Sequence, residues 1–138
     1  LLKNLDRYDF VSNSITTSYP PGSEVLVYKS AALRKANELV EQDDPLREHV
    51  SVHIYGNSEH FNSFNLTAPN DLAYPDYFLE VDTKEDFLVM KYIFERAKEE
   101  KKVNFPVEYA IGLMVDSPEI ADVNSQIHRR WREFRNDV

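Results

Sequence analysis

The carboxylate of Asp82 stands at a point in the sequence where a protein could hold a cation against a phosphate. The apolar run Tyr77 to Val81 (YFLEV) predicts a strand, and Thr83 followed by Asp86 has the form of a capping box that begins a helix. In open α/β sheets, ligands bind at the carboxyl ends of strands, where helix N-termini also attract anions. Mg²⁺ takes one or two carboxylates together with phosphate oxygens. The position therefore predicts either a magnesium ligand or a residue that caps the helix together with Thr83.

Other polar side chains occupy places where chemistry is possible. Ser12 and Asn13 end the first predicted strand, where they either bind a ligand or form an ordinary Asx turn. His49 and His53 have the i, i+4 spacing that can bind a metal on a helix, although no Glu or third His completes the pattern of a zinc protease. Glu48, beside His49, is either a base or a solvated acid.

Strands and helices that alternate along the chain must position these residues. Runs of β-branched and aromatic residues predict the strands, and apolar residues at helical spacing predict the helices. This alternation is typical of the α/β class. The predicted strands are Tyr8 to Ser12, Val25 to Tyr28, the region from Phe61 to Leu66, and Tyr77 to Val81. A turn is predicted at Tyr19-Pro20-Pro21-Gly22, because Pro fixes φ and Gly accepts a positive φ. The predicted helices are Ser30 to about Glu41 with an apolar face of Ala32, Leu33, Ala36, Leu39 and Val40, Leu46 to Gly56, Thr83 to Lys98 with an apolar face of Phe87, Met90, Ile93, Phe94 and Ala97, and Pro118 through Trp131 and Phe134.

The composition restricts the classes of protein to which the chain could belong. Its 138 residues suit one folded domain, and a formal net charge of -8 argues against nucleic-acid binding. It has no cysteine, which excludes disulfides and thiolate zinc sites and permits the cytosol. No apolar run approaches the roughly 18 residues of a membrane-spanning helix. We therefore expect a cytoplasmic protein with neither a nucleic acid nor a membrane as partner.

Six stretches follow one another in an order and spacing that carry a family resemblance. They are YDFVSN (Tyr8 to Asn13), YPPGSEVLVY (Tyr19 to Tyr28), ALRKA (Ala32 to Ala36), REHVSVHIY (Arg47 to Tyr55), LEVDTKEDF (Leu79 to Phe87) and PEIADVNSQIHRR (Pro118 to Arg130). Together they resemble the spore coat polysaccharide biosynthesis type of cytidylyltransferase. That family is related to the acylneuraminate and 3-deoxy-manno-octulosonate cytidylyltransferases.

The resemblance implies a fold and an activity. The fold would be the second half of a Rossmann-like α/β/α sandwich, with the sheet and its flanking helices in residues 1–103 and a helical tail in 104–138. The activity would be transfer of CMP from CTP to a sugar acid or related hydroxyl compound, with Mg²⁺, in surface polysaccharide biosynthesis. The resemblance places the metal ligand of a late V-D-T segment on Asp82. It also places five residues on the sugar side of the cleft: Ser12, Asn13, Glu24, Glu48 and His49.

Two positions depart from the family pattern, and one segment is missing. Thr17 stands where members commonly have Arg, and Leu26 stands where they often have a second acid, so the acceptor could differ. The chain begins at Leu1 without an initiator Met, which suggests a fragment, a processed product or a trimmed form. The nucleotide loop and the Gly-Asp-x-Pro carboxylate expected upstream are absent. We therefore expect the chain alone to be inactive.

The missing segment also leaves the oligomeric state and the function open to other interpretations. Half of a doubly wound sheet exposes a strand edge, which predicts a homo-oligomer. Two alternatives to the cytidylyltransferase remain open. One is a catalytically silent interaction module, and the other is a nucleotidyltransferase that uses another nucleotide.

Overall fold

The computed structural model describes residues 6–49, 51–129 and 131–132 and contains both strands and helices, which confirms the α/β class. The chain folds into two compact units. Of the described residues, the first unit contains 6–16, 25–66 and 131–132, and the second contains 17–24 and 67–129. The elements in chain order are β1 (Phe10–Ser12), β2 (Leu26–Tyr28), α1 (Ser30–Leu39), α2 (Val52–Tyr55), β3 (Ser63–Asn65), α3 (Lys84–Glu99), α4 (Val107–Asp116) and α5 (Pro118–Ser125).

The first unit is built on a three-stranded sheet in the order β2-β1-β3. The strand β1 pairs antiparallel with β2 and parallel with β3, with Val11 opposite Val27 on one side and Phe64 on the other. Three of the four predicted strands are therefore confirmed, although each is only three residues long. The central strand is buried along its whole length, and since successive side chains point to opposite faces, both faces of the sheet are covered at β1.

Small side chains let the helix α1 pack closely in the first unit. Ala32 and Ala36 are buried, whereas Leu33 and Leu39 are 40% and 47% exposed. The predicted apolar face of this helix is therefore only half correct. The core of the first unit consists of Phe10, Ala32, Ala36, Ile54 and Phe61.

The second unit is built on the helices α3, α4 and α5, whose buried faces meet in one core. Helix α3 is confirmed, and Ile93 and Ala97 of its predicted apolar face are buried, together with Val89, which was not part of that face. Phe87 and Phe94, which we expected in the core, are 58% and 57% exposed. The core of this unit is Val89, Ile93, Ala110, Met114 and Ala121.

Three predicted elements differ from those in the structure: one strand does not form, and two helices are shorter than predicted. Residues 77–81 form no strand, because their backbone makes its hydrogen bonds to groups that do not belong to a neighbouring strand. The helix predicted from Leu46 to Gly56 is a 3₁₀ turn, Pro45–Glu48, followed by the separate helix α2. Helix α5 ends at Ser125, so Trp131 lies beyond it, and Phe134 lies outside the described residues. None of the helices in the described part of the chain has the length and apolarity needed to span a membrane.

Candidate functional site

The N-terminus of α3 carries the predicted capping box. The Thr83 hydroxyl accepts a hydrogen bond from the Asp86 amide (3.2 Å), and the Asp86 carboxylate accepts one from the Thr83 amide (2.9 Å). Two backbone donors that a helix start leaves unpaired are thereby satisfied. The side chain that caps α3 is therefore that of Thr83 and not that of Asp82.

Asp82 directly precedes this cap. Its amide donates to Asp86 Oδ2 (3.1 Å), and its side chain is exposed. The same Asp86 oxygen accepts from the Thr83 amide, so one carboxylate oxygen holds two consecutive peptide groups. The backbone of Asp82 is fixed in this way while its own carboxylate faces solvent.

A buried arginine holds Asp86 in turn. Arg129 donates from Nη1 to Asp86 Oδ2 (2.9 Å) and from Nη2 to Asp86 Oδ1 (2.7 Å), a bidentate pair in which both side chains are almost fully buried. Nη1 also lies 3.1 Å from Glu80 Oε1. The guanidinium carbon lies 4.5 Å from the centre of the Phe78 ring, within the range of a cation–π contact.

Asn124 of α5 completes this network. Its Nδ2 donates to Asp86 Oδ1 (2.8 Å) and to the carbonyl of Phe78 (3.1 Å), and the side chain is fully buried. Its backbone carbonyl accepts from Arg129 Nη2 (3.2 Å). Asn124 thus joins the segment before Asp82 to the carboxylate that follows it.

A tight turn contacts the same segment. The Pro20 carbonyl accepts from the Ser23 amide (3.1 Å), and Gly22 has a φ of 99°, which confirms the predicted turn and its need for glycine. The Pro21 carbonyl accepts from the Leu79 amide (2.6 Å). Predicted to line the sugar side, Glu24 accepts a hydrogen bond at Oε2 from the Gly22 amide (2.8 Å) and so braces this turn.

The oxygen atoms of Ser12 and Asn13 bond nearby groups of the chain. Ser12 Oγ lies 2.8 Å from Ser14 Oγ and accepts from the Ser14 amide (3.0 Å). Asn13 Oδ1 accepts from the Val25 amide (2.7 Å). Both side chains are more than nine-tenths buried, so their observed role is to shape the loop after β1, and their contact with a substrate stays a prediction.

Glu48 ends the 3₁₀ turn of the first unit, and His49 directly follows it. Glu48 is exposed and His49 is half-buried. His53 lies on α2, with Nε2 3.9 Å from Asp44 Oδ2. The two histidines are therefore not on one continuous helix, which removes the geometric basis for a metal pair at i, i+4 spacing.

The six predicted site residues fall in different units. Ser12, Asn13, Glu48 and His49 belong to the first unit, whereas Glu24 and Asp82 belong to the second. Within the second unit, the turn braced by Glu24 packs on residues 79 and 80, close in sequence to Asp82.

Comparisons with known proteins give the fold independent support. No protein-family model matches the chain. An uncharacterized protein of Methanocaldococcus jannaschii is 31% identical over 134 residues, which is 96% of this chain and 51% of that protein. A solved cytidylyltransferase from Leptospira borgpetersenii serovar Hardjo-bovis matches 94% of this chain and 51% of its own chain, with a TM-score of 0.71 and 23% identity. The fold matches that of a cytidylyltransferase. The chain spans about half the length of each protein it matches.

One exposed carboxylate, that of Asp82, lies at the start of α3, where the resemblance implies a ligand of Mg²⁺. Among the residues that the structure describes, no group of three or more His, Cys, Asp and Glu side chains could hold a metal ion. Mg²⁺ does not need such a group, because it is commonly held by one or two carboxylates with phosphate oxygens and water. The exposed carboxylate of Asp82 can supply one hard oxygen ligand of this kind.

The pKa of the Asp86 carboxyl lies well below its ordinary value of 3.8. Burial by itself raises this pKa, but hydrogen bonds from Arg129, Asn124, Thr83 and the Asp82 amide favour the charged form and outweigh burial. The lowered pKa keeps this carboxylate charged at neutral pH. A charged Asp86 is an acceptor for the network and no proton donor.

The lowered pKa of Asp86 predicts a dependence of stability on pH. A group with a depressed folded-state pKa stabilises the fold above its unfolded pKa, and this contribution is lost as pH falls through the folded-state value. We expect the difference in thermal midpoint between wild type and Asp86→Asn to be constant above about pH 5 and to shrink as the pH falls below about 4. Circular dichroism melts from pH 7 to 3 measure this difference. A difference that stays constant down to pH 3 would contradict the prediction.

Proposed function

We propose that this chain is part of a nucleotidyltransferase that transfers CMP from CTP to a hydroxyl of a sugar acid or related acceptor. The likeness to a solved cytidylyltransferase over 94% of the chain is the observation that carries the proposal. The sequence LEVDTKEDF resembles the metal-binding V-D-T segment of the sugar-acid synthetases and supports a role for Asp82 as a ligand of Mg²⁺. A role in surface polysaccharide biosynthesis follows from the same resemblance.

The proposed reaction is a displacement at the α-phosphorus of CTP. The acceptor hydroxyl oxygen forms a bond to this phosphorus and releases its proton to solvent. The bond between this phosphorus and the oxygen that bridges it to the β-phosphate breaks, and pyrophosphate leaves with the electron pair. Mg²⁺ would offset the negative charge on the phosphate oxygens during this exchange. The contribution of the chain is to hold the Asp82 carboxylate at a fixed point and so to orient the metal-bound phosphates.

The acceptor would lie against residues of the first unit. Ser12 and Asn13 have buried oxygens engaged by the chain, so their proposed role is to shape the loop that the sugar contacts. Glu48 has an exposed carboxylate and His49 a half-buried imidazole, either of which can bond sugar hydroxyls. The proposed contribution of Glu24 is indirect, through the turn that its carboxylate braces.

Asp82→Asn tests the proposal in the protein produced from the complete gene. Asparagine keeps the size of the side chain but removes the charge that binds a hard cation. Since Thr83 is the cap, we expect a thermal midpoint within about 2 °C of wild type. We expect CMP transfer to fall by about 100-fold and the Mg²⁺ concentration for half-maximal rate to rise about 10-fold. Pyrophosphate release at varied Mg²⁺ measures both quantities.

Glu85→Gln is the matched control, because Glu85 is another exposed acid near the N-terminus of α3. It removes the same charge three residues away, so a general electrostatic effect would appear in both variants. We expect Glu85→Gln to retain the rate and the Mg²⁺ requirement of wild type. No pyrophosphate release by wild type with any nucleoside triphosphate would instead favour the silent interaction module, and release with a nucleotide other than CTP would favour the other alternative.

A further inference from the structure

We infer that Asp86 and Arg129 are positioning residues that fix the backbone of Asp82 and thereby aim its carboxylate at the bound metal. The inference rests on the proposed function, because it gives Asp82 a task that depends on its position. Neither residue would touch the metal or the substrates. Each would act through hydrogen bonds to the segment that carries Asp82.

One carboxylate oxygen of Asp86 holds the amides of two consecutive residues. Asp86 Oδ2 accepts from the amides of Asp82 (3.1 Å) and Thr83 (2.9 Å) and from the Thr83 hydroxyl (2.9 Å). In an ordinary capping box, the side chain of the third helical residue bonds only the amide of the cap residue. The additional bond reaches one residue further back and fixes the peptide group that leads into Asp82.

The side chain of Arg129 closes a loop around Asp82. Glu80 lies two residues before Asp82, and Asp86 lies four residues after it. The guanidinium of Arg129 contacts both, with Nη1 3.1 Å from Glu80 Oε1 and 2.9 Å from Asp86 Oδ2. One buried side chain therefore ties together the two ends of the segment 80–86, while the Asp82 carboxylate between them remains exposed.

The network is ionic and buried at a place where apolar side chains would also allow the chain to fold. Replacing a buried ion pair by apolar side chains of similar volume is often neutral or stabilising, so stability alone is a weak reason to keep one. The planar guanidinium offers directed donors in a fixed fork, which a lysine ammonium cannot reproduce. Arg129 directs this fork at two carboxylates at once, those of Glu80 and Asp86. These directed bonds fix the positions of the two residues more tightly than apolar packing would.

The experiment measures binding of Mn²⁺, as a paramagnetic substitute for Mg²⁺, together with CTP. Water-proton relaxation distinguishes Mn²⁺–CTP held by the protein from the complete gene from Mn²⁺–CTP in solution, and it does not depend on turnover. We expect Arg129→Lys, assayed at a temperature where circular dichroism shows it folded, to bind Mn²⁺ about 10-fold more weakly than wild type. Arg96→Lys, which changes an exposed arginine paired with Glu99 on α3, is the matched control and should bind as wild type does.

A double variant separates positioning from general destabilisation. If Arg129 acts through Asp82, Arg129→Lys should weaken Mn²⁺ binding no further once Asp82→Asn is present. If the two losses multiply in full, Arg129 acts independently of Asp82 and the inference is wrong. If Arg129→Lys does not fold, Glu80→Gln takes its place. It removes the ion pair between Arg129 and Glu80 and should destabilise the protein less, because Glu80 is partly exposed. Unchanged Mn²⁺ affinity in folded Glu80→Gln would then overturn the inference.

The failure of this inference is distinguishable from the failure of the proposed function. Asp82→Asn that weakens Mn²⁺ binding, together with folded Arg129→Lys that does not, overturns the positioning role alone. Asp82→Asn without any effect on Mn²⁺ binding overturns the proposed metal ligand, and the positioning role falls with it.

Discussion

Arg129→Met will lower the thermal midpoint by roughly 10 °C, the larger of two stability losses that we expect from single substitutions. Methionine keeps much of the volume of the side chain but removes the positive charge. Asp86 is fully buried, and among the residues that the structure describes the variant would leave its carboxylate with no opposite charge in contact. Removing one partner of a buried ion pair typically costs about 3–5 kcal/mol, since the remaining charge stays desolvated.

The control for this prediction is Arg96→Met, which also removes an arginine paired with two acids. Arg96 is exposed and pairs with Glu99 and Glu100 on the surface of α3, where ion pairs contribute about 1 kcal/mol or less. We expect its thermal midpoint to stay within about 3 °C of wild type. Differential scanning calorimetry of both variants provides the comparison.

The double variant Asp86→Asn, Arg129→Met isolates the interaction of the pair. Because the second substitution removes the charge that the first leaves unpaired, the double variant should be more stable than the sum of the two single losses predicts. Equal losses in Arg129→Met and Arg96→Met, or full additivity in the double variant, would show that the buried network contributes no more than a surface pair.

Local sequence signals predicted the start of α3 correctly. The capping box depends only on Thr83 and Asp86, three residues apart, so its chemistry is visible in the sequence without knowledge of the rest of the fold. The turn at Pro20 to Ser23 is similar, because Pro21 and Gly22 determine its backbone dihedrals. Such features need no information about distant contacts.

Long-range contacts account for the errors. The run Tyr77 to Val81 has the composition of a strand, but its partners are Pro21 and Asn124, which are far away in the sequence. Which face of α3 is buried depends on where α5 packs, and the helix has large apolar residues on more than one face. Periodicity therefore predicted the existence of this helix and the burial of Ile93 and Ala97, but it wrongly placed Phe87 and Phe94 in the core.

The candidate site shows the same division. Asp82 could be singled out because it precedes a recognisable helix start, and the resemblance gave it a chemical role. Arg129 carried no signal of its own, because an arginine near a predicted helix end usually belongs to a solvated surface. Only the fold shows that it is buried between Glu80 and Asp86, 49 and 43 positions earlier in the chain.

Gly22→Ala is the second substitution for which we expect a large effect. A Cβ at this position would lie 2.4 Å from the Leu79 carbonyl carbon and from the Glu80 amide nitrogen, and both are backbone atoms. Relief of the clash would require the turn and the segment 79–80 to separate. The φ of 99° adds strain, because L-residues with a side chain disfavour this region. Together the two effects should destabilise the protein by about 3 kcal/mol.

Gly112→Ala is the matched control for Gly22→Ala. Gly112 lies inside α4, and a Cβ there would meet no atom within 4 Å. Alanine in a helix interior is favoured over glycine by about 0.5–1 kcal/mol, so the same substitution should here raise the free energy of unfolding. Urea unfolding of the two variants should therefore shift the midpoint in opposite directions. Because the turn packs on the segment that leads to Asp82, Gly22→Ala should also weaken Mn²⁺ binding, whereas Gly112→Ala should not. A Gly22→Ala variant as stable as wild type would show that the turn does not press on the backbone of residues 79–80.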